Sequence, residues 1–97
     1  MNVIMFIGLC TIDLHIPDSQ SLKSKRHILR SLKERVRRRF NVSVAEGDGG
    51  DLWQRITLGV ATVNKDKRHI NQTLDLILGL IRETPSVEIL DYTIEIF

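Results

Sequence analysis

The segment from Val3 to Ile16 is apolar at both of its alternating sets of positions. One set is Ile4, Phe6, Cys10, Ile12 and Leu14, and the other is Val3, Met5, Ile7 and Leu9. Successive side chains of a strand point to opposite faces of a sheet, so this pattern predicts a strand that is covered on both faces. Pro17 follows and ends the strand, because proline has no N–H to donate.

The middle of the chain predicts a helix and a hairpin. Ser21 stands before a helical spacing of apolar residues, which indicates a helix near 22–39. Its predicted core positions are Leu22, Ile28, Leu29, Leu32, Val36 and Phe40. The glycine-rich segment 47–51 separates strand candidates at 42–46 and 52–63, a pattern typical of a β-hairpin.

A second helix and a last strand complete the pattern. Asp66 can cap this helix, which Pro85 ends, and residues 87–97 alternate enough for a strand. The predicted core positions of the helix are Ile70, Leu74, Ile77, Leu78 and Ile81. The order β-α-β-β-α-β predicts an α+β ferredoxin-like fold, a four-stranded antiparallel sheet with both helices on one face. A chain of 97 residues is expected to form one such domain over 1–97.

The charges of the chain are unevenly distributed. Nine of the seventeen residues from Lys23 to Arg39 are Lys or Arg, and Glu34 is the only acid among them, so this segment carries +8. The whole chain carries only +2, which leaves −6 for the remainder. Such a contrast favours a polyanion-binding surface.

Five of these cations are expected to form a ridge on the first helix. At 100° per residue they fall within an arc of about 80°, beside the apolar arc, over a length of about 21 Å. These residues are Lys23, Arg26, Arg30, Lys33 and Arg37, and we call them the ridge. Like charges at this spacing destabilise a helix, which favours a bound anion, although a solvated helix face is the alternative.

The start of the same helix is a second anion-site candidate. Lys23, Lys25 and Arg26 lie where the helix dipole disfavours positive charge, and a phosphate bound there with the Ser21 and Ser24 hydroxyls would compensate. Lys25 also falls within the apolar arc. Either its stem packs while its ammonium reaches solvent, or it pairs with a carboxylate on the sheet, for which Glu46 is the first candidate.

The sequence offers little support for metal or catalytic chemistry. Cys10 is the single cysteine, and the three histidines have no ligand-like spacing, so we expect no metal and no cofactor. Aspartate is common in turns, so Asp48 and Asp51 need no catalytic role together with Glu46 to explain them. No catalytic residue is predicted. Trp53 is either the edge of the core or a partner contact. The N-terminal segment resembles neither a signal peptide nor a membrane span, so a cytoplasmic protein is expected.

Two groups of proteins with this element order fit poorly. RNA-recognition-motif proteins stack bases on aromatic residues of the sheet, whereas the strand Arg55 to Val63 has none. Acylphosphatases use a glycine-rich loop that ends in Arg after the first strand, and residues 13–17 contain no counterpart.

Three motifs resemble those of the YlxP-like family of small bacterial proteins of unknown function. They are Ser21-Leu22-Lys23-Ser24-Lys25-Arg26, Phe40-Asn41-Val42-Ser43-Val44-Ala45-Glu46 and Asp51-Leu52-Trp53-Gln54-Arg55. The resemblance implies a ferredoxin-like fold and a cytoplasmic location. Relatives are often encoded beside translation and ribosome-maturation genes, which favours RNA as the polyanion. Gly47-Asp48-Gly49-Gly50 is richer in glycine than the family pattern.

Two functional hypotheses remain. The first is a non-enzymatic RNA- or ribosome-associated factor that contacts the phosphate backbone through Lys23, Lys25, Arg26, Arg30, Lys33 and Arg37. The second is a homo-oligomeric scaffold or small-ligand regulatory domain with no nucleic-acid role. A homodimer is expected in either case, because the first strand is apolar on both faces and Thr57, Gly59, Ala61 and Val63 form a face of small residues.

Overall fold

The computed structural model describes residues 4–17, 19–49, 52 and 54–97. In chain order it contains β1 (Phe6–His15), α1 (Leu22–Arg39), β2 (Ser43–Glu46), β3 (Arg55–Asn64), α2 (Lys67–Arg82) and β4 (Glu88–Ile96). The predicted element order is confirmed. Helix α1 also has the predicted bounds, because Ser21 caps it by accepting a hydrogen bond from the Ser24 N–H at 3.1 Å.

The four strands form one antiparallel sheet in the order β2-β3-β1-β4. β1 pairs with β3 along its whole length, from Phe6 opposite Asn64 to His15 opposite Arg55. β4 pairs with the other side of β1, with one register shift between Asp13 and Leu14. This topology with two helices is the α+β ferredoxin-like arrangement that the sequence predicts.

The hydrophobic core lies between the helices and the face of the sheet formed by even-numbered residues of β1 and β3. On α2, all five predicted core residues are at most 1% exposed. Each large aliphatic side chain buried in this way contributes about 1.5–3 kcal/mol to folding. On α1, Leu29, Leu32 and Val36 are buried, whereas Leu22, in the first turn, is exposed.

Two glycines are required by their surroundings. A β-carbon at Gly8 would lie 2.2 Å from Cγ2 of Ile70, so the absence of a side chain lets α2 approach β1 closely. Gly49 in the β2–β3 turn has a φ of +100°, and a β-carbon there would lie 2.9 Å from the Arg55 carbonyl oxygen. The turn predicted from the glycine-rich segment therefore depends on Gly49 among its described residues.

The prediction that the first strand is covered on both faces is wrong for this chain. The even-numbered residues from Cys10 to Leu14 are buried against the helices. On the opposite face Ile7 is 47% exposed and Leu9 is half-buried, since no element of the described chain covers that side. Apolar residues on both faces of a strand therefore do not mean burial within one copy of this fold.

Candidate functional site

The ridge lies on the outer side of α1, next to the edge strand β2. Lys23, Arg26, Arg30 and Arg37 are exposed, and Lys33 is half-buried. The helix presents this side because its buried stripe, Leu29, Leu32 and Val36, faces the core. The structure therefore brings all five predicted ridge residues to one surface.

One carboxylate lies at the middle of the ridge. Lys33 Nζ is 2.5 Å from Glu46 Oε2, and Arg26 NH1 is 3.2 Å from Glu46 Oε1. Glu46 reaches α1 because it is the Cα partner of the buried Leu58, which places its side chain on the helix side of the sheet. Glu46 leaves the five ridge cations with a net charge of +4, and the exposed Glu34 flanks them, about 20° around the helix from Lys23.

These contacts hold Glu46 in its charged form. The hydrogen bond from Lys33 is the main cause that lowers the pKa of Glu46 below its usual 4.5, and partial burial opposes it. The charges of Lys33, Arg26 and Lys25 lower the pKa further. Arg26 is more than half exposed, so its pair with Glu46 contributes at most about 1 kcal/mol.

Arg37 joins the ridge to the sheet edge. Its NH2 donates to the Val44 carbonyl oxygen at 2.8 Å. β2 is an edge strand, and an unpaired edge carbonyl is a template for another strand. Arg37 occupies that acceptor with one of its five donors, which leaves the others for an anion.

Lys23 and Arg30 are the uncommitted cations of the ridge. Within the described part of the chain neither makes a hydrogen bond or an ion pair. Both are exposed on α1. They are therefore the ridge residues whose charge is most available to a ligand.

Lys25 lies inside the protein and is only 1% exposed. Its ammonium donates to the carbonyl oxygens of Gly49, at 2.5 Å, and Leu52 in the β2–β3 turn. The predicted direct pair with Glu46 is wrong, because Lys33 and Arg26 occupy that carboxylate. Lys25 thus ties the first turn of α1 to the hairpin and is not placed to contact RNA.

The predicted phosphate cradle at the start of α1 is only partly assembled. Ser21 Oγ accepts the Ser24 N–H, and the Ser21 carbonyl accepts the Ser19 hydroxyl at 3.0 Å. Lys25 points inward. Lys23 and Arg26 remain at the surface there, so the helix start is best regarded as one end of the ridge.

Other candidate residues lie elsewhere. Trp53, the predicted partner contact, is outside the described residues. His15 is 3.3 Å from Glu88 on the sheet, whereas His27 and His69 are exposed on different helices. The sequence analysis did not predict that Glu46 forms ion pairs with Lys33 and Arg26. The alternation of β2 could have placed Glu46 on the helix side, beside Val44, but not opposite a particular cation.

The fold and this surface define a small α+β domain with a cationic helix beside one edge of its sheet. The chain belongs to the family described as protein of unknown function (DUF503), whose model matches residues 7–94. It is 35% identical over 82 residues to the uncharacterized protein YlxP of Bacillus subtilis (strain 168). The aligned residues cover 84% of this chain and 89% of that protein. The resemblance to this bacterial family is therefore confirmed.

A solved structure is also similar in fold. The de novo designed protein Foldit4 matches with a TM-score of 0.52 at 18% identity, over 97% of both chains. At this identity the likeness concerns the fold alone. Neither helix of the described chain is long and apolar enough to cross a membrane.

Proposed function

We propose that this protein is a non-enzymatic RNA-binding factor that docks on ribosomal RNA through the phosphate backbone. The observation that carries the proposal is the ridge, where five cations follow one line of α1 and meet a single carboxylate. The family resemblance favours ribosomal RNA over other polyanions, and with it a cytoplasmic location.

The geometry fits backbone contact better than base readout. A ridge of about 21 Å is long enough to follow several phosphates of one strand. Arg26, Arg30 and Arg37 present planar forks that can bind phosphate oxygens in pairs. Binding would follow the shape and charge of the RNA, with weak sequence preference.

A net ridge charge of +4 sets the expected dependence on salt. Neutralising about four phosphates gives a slope of log K against log salt of about −2.8 to −3.6, from about 0.7–0.9 per contact. Glu46 lowers the number of phosphates that the ridge can neutralise, because its negative charge already compensates one ridge cation within the protein.

The test compares Lys23→Glu/Arg30→Glu with the wild type. Both side chains are exposed and make no hydrogen bond or ion pair within the described chain, so the fold should persist. The matched control is Lys65→Glu/Arg68→Glu, the same change in net charge on exposed side chains outside the ridge. Each protein is titrated with ribosomal subunits and with free RNA at two salt concentrations, and circular dichroism confirms folding.

We expect the ridge variant to bind at least tenfold more weakly than the control variant, with a slope smaller by about 1.4–1.8 for two lost contacts. The loss should be similar for unrelated RNA sequences. Equal binding by the two variants would overturn the proposal and favour a scaffold or small-ligand regulatory domain.

A further inference from the structure

The sheet has one uncovered face, opposite the helices. It is formed by the odd-numbered residues from Ile7 to His15, from Arg55 to Val63 and from Asp91 to Phe97, together with Ser43, Ala45 and Glu88, and we call it the open face. The register places these residues in rows across the strands. The two ends of the open face differ in chemistry, and this polarity restricts what can pack on it.

One end of the open face is an apolar row. Val63 is the Cα partner of Ile7, and Ile7 and Phe97 exchange two backbone hydrogen bonds of 2.9 and 2.8 Å. Their side chains are 57%, 47% and 64% exposed, in the order Val63, Ile7, Phe97. Three large apolar residues therefore lie side by side in solvent, which marks an interaction surface.

The other end of the open face carries charges that are unevenly paired. Arg55 NH2 is 2.6 Å from Asp13 Oδ2, and Asp91 lies directly opposite Asp13 in the β1–β4 register. Like charges in that position destabilise a sheet. Asp91 makes no ion pair within the described chain, although its Oδ1 accepts the Tyr92 N–H at 2.8 Å. Glu88 lies beside it, opposite His15.

We propose that a second copy of this chain packs on the open face about a two-fold axis that runs parallel to the strands, over β1. This axis brings Ile7 against the same residue of the second copy and Val63 against Phe97. It also brings Arg55 of each copy toward Glu88 and Asp91 of the other, so Asp91, which has no ion pair within the described chain, gains a cation. A two-fold contact of this kind closes at the dimer.

Other placements fit less well. An axis across the strands at Thr11 would put the apolar row of one copy on His15, Arg55 and Glu88 of the other, which would desolvate their charged groups. An axis between β3 and β1 would place Arg55 over His15. Between the two ends, Thr11, Gly59 and Thr93 present small side chains, which lets two sheets approach at the usual spacing of about 10 Å.

The area of such a contact is modest. The axis brings together β1, β3 and β4, which have 10, 10 and 9 residues and, at about 3.3 Å per residue and about 4.8 Å between strands, give a face of about 460 Å². Two copies would bury about 920 Å², the size of a weak and reversible interface. The open face is opposite the helices, so this proposal goes beyond RNA binding and does not depend on it.

The mass of the full chain in solution is the first test. Light scattering at micromolar concentration should give twice 11.1 kDa. Arg55→Glu should raise the dimer dissociation constant at least tenfold, because the new carboxylate of each copy would then repel Glu88 and Asp91 of the other. Arg55→Glu/Asp91→Arg should recover most of that loss. Circular dichroism checks that each variant is folded.

Chemical crosslinking tests the position of the axis. Ile7→Cys treated with a short bis-maleimide should give a covalent dimer, since the axis brings this position close to its mate. Ser43→Cys lies on β2, two strands from the axis, and should not crosslink. The wild-type protein is the background control, because Cys10 is 1% exposed. A monomer of 11.1 kDa would overturn the dimer, and crosslinking at Ser43 instead of Ile7 would overturn this axis.

Discussion

At the scale of single residues, two charged side chains of α1 have opposite surroundings although they are two positions apart. Lys23 is exposed, whereas Lys25 is buried and donates to the Gly49 and Leu52 carbonyl oxygens. Helical periodicity could show that Lys25 falls on the core side, but not which acceptors it meets. The β2–β3 turn folds back over the start of α1, and pattern arguments do not describe such long-range contacts.

Lys25→Met should therefore destabilise the protein more than Lys23→Met. Removing the ammonium leaves buried carbonyl acceptors without their donor, at a cost of about 1–3 kcal/mol. In a domain of this size each kcal/mol lowers Tm by about 4–8 °C. Lys23→Met, an exposed change, should stay within about 0.5 kcal/mol. Thermal unfolding of both variants provides the measurement, and equal Tm values would show that the Lys25 contacts contribute nothing.

Glu46 should restrain RNA binding while it stabilises the fold. Glu46→Gln removes the negative charge that contacts Lys33 and Arg26 of the ridge, so RNA should bind more tightly and the salt slope should grow by about 0.7–0.9. A matched comparison is Glu83→Gln, an exposed acid outside the ridge. If the two variants bind RNA equally, Glu46 does not compete with phosphate.

The same variant has an expected pH signature. The pKa of Glu46 is lowered in the folded protein, chiefly by the hydrogen bond from Lys33. Its stabilising contribution is thus present above its usual pKa of 4.5 and is lost as pH falls through the lower folded value. Between pH 6 and the acid limb, wild-type stability should fall more steeply than that of Glu46→Gln. Parallel curves by thermal unfolding would contradict this assignment.

At the scale of elements, the sequence predicts each helix and strand because its periodicity and its caps agree. Ser21 and Asp66 accept backbone N–H groups at the helix starts, as their positions before apolar repeats indicate. The burial of β1 was predicted wrongly on one face. Alternation shows which residues share a face, but what covers that face depends on where other elements or other copies pack.

Replacing Gly8 of β1 and Gly79 of α2 by alanine should change the stability of the protein in opposite directions. Gly8→Ala should destabilise the protein by about 1–3 kcal/mol, because the new methyl group would overlap Ile70, whose branched side chain moves little. Gly79→Ala should stabilise α2 by about 0.5–1 kcal/mol, since no atom outside the local backbone of α2 lies within 4 Å of the added carbon. Chemical denaturation measures both. A neutral Gly8→Ala would mean that α2 shifts freely away from β1.

At the scale of the whole molecule, charge is separated between two sides. Residues 23–39 carry +8, and the remainder carries −6. The open face contains Asp13, Glu88, Asp91 and Glu95 against Arg55. An RNA backbone would be attracted to α1 and repelled from the open face, so the proposed RNA contact and the proposed dimer contact use opposite sides.

The two surfaces should therefore act independently. Ile7→Asp should give a monomer, because it buries a carboxylate in the apolar row, yet it should bind an RNA long enough for one ridge with unchanged affinity and salt slope. Lys23→Glu/Arg30→Glu should do the reverse, with weaker RNA binding and unchanged mass by light scattering. Combining both changes should add their effects on the free energy of RNA binding within about 0.5 kcal/mol, as expected for distant sites. A tenfold loss of RNA affinity in Ile7→Asp alone would show that dimer formation and RNA binding are coupled.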